Sequence, residues 1–340
     1  MSHRTTARHA LVPAALALTT LAACAGDATA PAPTATAALA APQLPTPGPL
    51  AIWQRTQGPA FVHAFLPAAA GAVLAGSEEG IFRSGDDGRS WTAVEGLPEG
   101  MATASLAGAP GGTLYAGSFG GAGVFRSTDG GAHWEHAGLA GADVRAVGVD
   151  GEGRVYAGAS GFEGGIFRSD DAGATWTLVL PPLNRRDFIV TGLSFWKSDV
   201  YLTTHADDAW YGVSGGEQWS FLGGLYATPE YLAPALEITA LPTGALLAAH
   251  AGGILRSADG GASWKSALTG PGTQWIVADA AGAAYAYTWE GTVYRSTDDG
   301  VTWTPVVRAR RGLYATAFGV TPGGAMLLTT DEGMFRAELR

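Results

Sequence analysis

The chain has 340 residues, 47% of them hydrophobic and 15% charged, with a formal charge of −10. That length and apolar content suffice for a buried core in one large or two smaller domains, and the acidic balance argues against a nucleic-acid partner, which needs a basic face. Glycine supplies 50 residues and apolar stretches of helical period are absent beyond the N-terminus, a profile of many short strands joined by tight turns.

The chain opens with Arg4 and Arg8 ahead of an apolar stretch from Ala10 to Ala23. At about 14 residues this stretch falls short of the roughly 20 that a stable membrane-spanning helix needs. Residues 1–23 are therefore predicted to be a cleaved secretion signal. The junction Leu21-Ala22-Ala23-Cys24 resembles the bacterial lipobox, which implies a diacylglycerol on the Cys24 thiol and Cys24 as the first mature residue. Cys24 is the only cysteine, so no disulfide is expected in the mature domain. Losing residues 1–23 removes two arginines and no acids, which takes the formal charge from −10 to −12. An acidic membrane surface would repel such a domain, leaving the acyl chains to hold it at roughly 0.8 kcal/mol per buried methylene. The expected location is the bacterial cell envelope outside the cytoplasm, and the expected state is a monomer.

Residues 24–50 follow as a tether of mainly Ala, Thr and Pro, with Pro31, Pro33, Pro42, Pro45, Pro47 and Pro49. Proline removes backbone donors and favours extended chain, so this stretch reaches at most ~80 Å at ~3.1 Å per residue.

From residue 51 onward a phrase recurs: apolar-aromatic-Arg-Ser-x-Asp-x-Gly-x-x-Trp. Its five intact or near-intact copies centre on Ser84-Asp86-Gly88-Trp91, Ser127-Asp129-Gly131-Trp134, Ser169-Asp171-Gly173-Trp176, Ser257-Asp259-Gly261-Trp264 and Ser296-Asp298-Gly300-Trp303. A sixth is degenerate, with Gly212 and Ser214 where Ser and Asp are expected before Gly216 and Trp219. Successive Asp positions, counting Ser214, are 43, 42, 43, 45 and 39 residues apart. That period is the length of one four-stranded propeller blade. As a hairpin turn the phrase makes physical sense: Ser and Asp accept backbone N–H bonds, Gly supplies positive φ, and Trp plugs the gap between sheets. Asp86, Asp129, Asp171, Asp259 and Asp298 are accordingly structural, since near-copies spread around a ring cannot all face one substrate. The same count makes Arg83, Arg126, Arg168, Arg256, Arg295 and Arg336 structural.

A seventh blade is divided between the chain ends. Gly333-Met334-Phe335-Arg336 repeats the strand before the phrase, and Ile52-Trp53-Gln54-Arg55 the strand after it. The predicted fold is all-β, a seven-bladed β-propeller over residues 51–340 whose last blade both ends close, which leaves no exposed edge. In one blade, Leu236–Ala240 reads as the innermost strand and Leu246–Ala249 as the second. Fourth-to-first and second-to-third connections then share one face, the loop face, and the repeated turns lie on the opposite turn face.

Residues 51–340 resemble the Asp-box or BNR-repeat propellers, a group including sialidases, xyloglucanases, sortilin-type receptors and the photosystem II assembly propeller. The resemblance is specific for fold and not for function, because members with and without catalysis share the fastener. A sialidase would need an Arg-Ile-Pro motif near the start and an arginine triad. Trp53-Gln54-Arg55-Thr56 lacks the first, and with the repeat arginines set aside Arg145, Arg185, Arg186, Arg308, Arg310 and Arg311 are the main loop-face candidates for the second.

Trp53, Trp91, Trp134, Trp176, Trp219, Trp264 and Trp303 are the repeat plugs, which leaves four tryptophans. Trp196 falls at a first-to-second-strand turn; Trp210, Trp275 and Trp289 are predicted on the loop face. The irregular blade adds the loop His205-Ala206-Asp207-Asp208-Ala209-Trp210-Tyr211 and a long connection carrying Tyr226 and Tyr231. Phe162, Glu163, His250 and Glu290 occupy loop positions of other blades. Exposed aromatics beside carboxylates suit a sugar ring or a protein partner, so the expected ligand is a glycan or an envelope protein bound without catalysis. The competing reading is a glycoside hydrolase drawing on Glu163, Asp207, Asp208 and Glu290. His205 with Asp207 lacks a second His at ligand spacing, so neither a metal nor a cofactor is expected.

Overall fold

The intact repeat turns share one Ser–Asp–Gly core of bonds, seen in full in the first. Ser84 Oγ donates to Asp86 Oδ1 at 2.8 Å and accepts the Gly88 N–H at 2.9 Å, while Oδ1 also accepts the Arg89 and Ser90 N–H groups at 3.1 and 2.8 Å. The Ser–Asp pairs of the other four turns meet at 2.7 to 2.8 Å. These bonds hold the Asp86, Asp171 and Asp259 carboxyls down to about 2, with Asp129 and Asp298 also below the ordinary range. The residue after each Asp turns left-handed, with φ of 64° at Asp87, 59° at Ala172 and 64° at Asp299. In the degenerate turn Ser214 takes a φ of 51°, and the Gly216 N–H bonds to the Val213 carbonyl instead.

The computed structural model describes residues 50–160, 164–182, 189–204, 209–222, 235–279, 281–308 and 314–338. Among these, 28 strands make seven antiparallel sheets of four. Blade 1 runs Val62–Pro67, Val73–Ser77, Gly80–Ser84 and Thr92–Ala93, from the axis outward. Blades 2 to 6 follow the same plan, starting at Thr103, Asp143, Val190, Ala235 and Thr273. Blade 7 takes Ala315–Val320, Ala325–Thr330 and Gly333–Glu338 from the C-terminal end and Gln54–Thr56 from the N-terminal end. Gln54 pairs with Arg336, Arg55 with Phe335 and Thr56 with Met334, which closes the ring as the sequence predicts.

The core is divided among the seven junctions between blades. Second strands such as Val73–Ser77 and Leu246–His250 are buried along their whole length, because a neighbouring blade covers each face. Glycines allow the closest approach: a β-carbon on Gly158 would stand 2.7 Å from Cβ of Val190 in the next blade. One repeat tryptophan enters each junction, packing toward the preceding blade. Trp134 lies between blades 1 and 2, Trp303 between 5 and 6, and Trp53 between 6 and 7. Four of the repeat arginines reach the other way, onto the carbonyl of the left-handed turn residue of the following blade. Arg126 bonds Ala172 at 3.0 Å, Arg168 bonds Gly215 at 2.9 Å, and Arg256 and Arg336 bond Asp299 and Asp87 at 2.7 Å. Arg295, facing the blade without a repeat turn, donates to the Tyr285 hydroxyl at 3.1 Å.

Candidate binding site at the channel mouth

The innermost strand of every blade carries a one-residue register shift near its loop-face end. A β-bulge leaves one residue unpaired and re-aims its side chain. The seven bulged positions are His63, Ala104, Arg145, Thr191, Leu236, Gln274 and Thr316. The backbone device repeats, whereas the side chains it presents differ in nearly every blade. His63, Ala104, Arg145, Thr191 and Gln274 line one cavity of about 550 Å³ on the ring axis, joined by Glu237, Trp275 and Trp289.

Its polar groups are held in defined ways. Arg145 Nε donates to Asp143 Oδ2 at 3.0 Å, and its guanidinium lies 5.3 Å over the Phe119 ring. The His63 ring meets Phe119 edge-on at 5.0 Å, its Nε2 is buried without a partner, and burial pushes its pKa down. Phe119 begins the short 3-10 turn Phe119–Gly121 in the second-to-third-strand connection of blade 2, so one loop residue orients two channel residues. Glu237 Oε2 accepts the Ile276 N–H at 3.3 Å, and burial pushes the carboxyl up to about 7. Trp275 packs on Tyr287 with centroids 5.7 Å apart. Trp289, 55% exposed, stands at the mouth, where it also shares a second cavity of about 340 Å³ with Gln274 and Tyr314.

Of the residues singled out from sequence, Trp275, Trp289 and Arg145 come together here. Trp210 and Tyr211 do not, which corrects their placement on a loop: both belong to the third strand of blade 4, Ala209–Val213. With Gly212 in the Ser position, they occupy the aromatic and Arg positions of the phrase and alternate across the strand. Trp210 packs into the junction with blade 3, whereas Tyr211 bonds Asp199 and lies toward the turn face. His250 is buried at the end of a second strand, where its Nδ1 accepts the Gly252 N–H at 3.0 Å. Ser77 and Thr330 accept the equivalent bonds in blades 1 and 7, so His250 is a turn fastener. Glu290 is exposed on the turn after Trp289 and does not line the channel. His205, Asp207, Asp208, Tyr226, Tyr231, Phe162, Glu163, Arg185, Arg186, Arg310, Arg311 and Cys24 lie outside the described residues. His63, Phe119, Glu237 and Gln274 were not singled out from sequence; His63 and Gln274 owe their place to bulges, Glu237 follows one, and Phe119 comes from a neighbouring loop.

No known family and no curated protein matches the sequence. Among solved structures the chain is similar to YCF48 bound to a D1 peptide, at 14% identity over 88% of this chain and 100% of that one, with a TM-score of 0.65. It is similar to a streptogramin B lyase at 14% identity and a TM-score of 0.64, over 82% of this chain and 93% of the lyase. A GH74 xyloglucanase from Xanthomonas campestris matches at 18% identity and a TM-score of 0.61, over 84% of this chain and 53% of the enzyme. The likeness is one of fold, the seven-bladed β-propeller, shared by a peptide-bound protein, a lyase and a glycoside hydrolase.

Proposed function

We propose that the protein is a binding propeller of the Asp-box group that takes a glycan or peptide ligand at the loop-face mouth of its central channel. The ring of bulges carries this reading. A repeated backbone device presents His63, Arg145, Thr191 and Gln274 in different blades, while the turn residues that hold the ring stay nearly constant. Uniform fasteners with a varied lining are what a site added to a scaffold requires. The exposed Trp289 supplies a stacking surface beside it.

A glycoside hydrolase would need two carboxyl groups about 5 to 10 Å apart across the cleft. Among the described residues lining the channel, Glu237 is the only carboxylate. We further propose that a lipid on Cys24 holds the domain at the bacterial cell envelope; the short apolar N-terminus and the lipobox-like junction support this. The mass of the mature N-terminal peptide checks it, and an unmodified Cys24 would refute it.

A glycan array, a peptide array and a chromogenic glycoside panel on the purified protein test the binding reading. Trp289→Ala and Arg145→Ala should each weaken retention of the captured ligand at least tenfold without changing the fold. Turnover of a glycoside that Glu237→Gln abolishes would overturn the reading in favour of the enzyme.

A further inference from the structure

On the turn face, the junction between blades 4 and 5 combines two features, a missing arginine and a buried tyrosine hydroxyl without a partner. At four other junctions an arginine of the third strand crosses to the carbonyl of the next blade's left-handed turn residue, as Arg168 does to Gly215 and Arg256 to Asp299. In blade 4 that position is Tyr211, whose hydroxyl turns back to donate to Asp199 Oδ2 at 2.8 Å. No arginine of blade 4 therefore reaches the carbonyl of Gly260, the left-handed residue of the blade 5 turn with φ of 69°.

The second feature is at Tyr201. Of the three tyrosines at the same position in other blades, Tyr156 and Tyr285 bond Asp150 at 3.0 Å and Asp279 at 3.2 Å, and Tyr285 also accepts from Arg295. Tyr201 is only 1% exposed and its hydroxyl has no partner. That hydroxyl lies 3.8 Å from where a β-carbon on Gly260 would stand, and the Tyr211 ring is stacked on Tyr201 at 5.1 Å. Where the arginine is missing there is a cavity of about 390 Å³, lined by Asp199, Tyr201, Tyr211 and Gly260 and also by Arg256, whose guanidinium is already paired with Asp299 at 2.8 Å.

We infer that this cavity is a socket for the guanidinium of an arginine side chain carried by a peptide or protein partner. Its acceptors, a bare tyrosine hydroxyl and a turn carbonyl, are those that other blades offer to their own arginines, and the Asp199 carboxylate supplies the opposing charge. A guanidinium has five donors in a planar fork and suits such a divided set better than an ammonium, which is a compact point charge. The socket is on the face opposite the channel mouth, so it stands or falls independently of the proposed loop-face site.

The test titrates the full-length protein with N-acetyl-arginine amide, followed by calorimetry or by NMR shifts, alongside the lysine and citrulline analogues. The arginine analogue should bind with a Kd on the order of 1 mM, and the neutral, isosteric citrulline analogue at least tenfold more weakly. Tyr211→Arg should fill the socket from within, abolish this binding and raise Tm. Asp199→Asn should weaken binding about tenfold whether or not Tyr211→Arg folds, and Trp289→Ala should leave it unchanged. Equal binding of the citrulline analogue would overturn the guanidinium assignment. Unaltered binding by Asp199→Asn, or none by the wild-type protein, would overturn the assignment.

Discussion

Two kinds of carboxylate divide the labour in this molecule, and their surroundings push them in opposite directions. The turn aspartates accept several N–H and O–H bonds each, so they stay ionised. Their folded-state values lie below the ordinary 3.8, so the stability they contribute is complete above about pH 4 and is lost as pH falls toward 2. Glu237 is the reverse case: half-buried in the channel lining with one N–H donor, it is pushed by desolvation from 4.5 up to about 7. Its contribution is complete below about pH 4.5 and is lost as pH rises through 7, a change on the order of 2–3 kcal/mol. Urea unfolding of Glu237→Gln at pH 5 and pH 8 should show that this loss has gone. An unchanged pH dependence in the variant would mean that Glu237 titrates as an ordinary surface carboxylate.

At the scale of the strand and turn, tryptophan and arginine act in opposite senses around the ring. Trp134 and Trp303 are held to the preceding blade, while Arg126, Arg168, Arg256 and Arg336 clasp the following one. Closure depends on this as much as on the pairing of Gln54–Thr56 with Gly333–Glu338. Arg336 donates to both the carbonyl and the carboxylate of Asp87 with its side chain only 10% exposed, whereas Arg89 pairs with Glu338 at 56% exposure. Arg336→Met should therefore lower the unfolding free energy by about 2 kcal/mol, and Arg89→Met by less than about 0.5 kcal/mol. Equal costs in chemical denaturation would show that the Arg336 clasp does not hold the ring closed.

For the whole molecule, the Asp spacing and the two half-blades at the chain ends made the ring legible in the sequence, because each turn fastener is local and repeats every 39 to 45 residues. Trp53 was legible as a plug for the same reason. The site was less so. A bulge shifts the register by one residue without altering the apolar pattern around it, so His63 and Gln274 read as ordinary strand positions. Phe119 gains its place only when blade 2 is set beside blades 1 and 3, where His63 and Arg145 stand. Trp210 and Tyr211 misled because a degenerate repeat reads like a loop, although the strand persists through it.

Repeated Ser–Asp bonds fasten the ring on its turn face, and the proposed glycan or peptide ligand enters at the loop-face channel mouth. Hydrogen–deuterium exchange, with and without the ligand that the array panel returns, tests that division most directly. Protection is predicted at the bulges around His63, Arg145, Thr191 and Gln274 and at the Trp289 turn, with the Ser–Asp turns unchanged. Protection confined to the turn face, with the bulges exchanging as before, would contradict it.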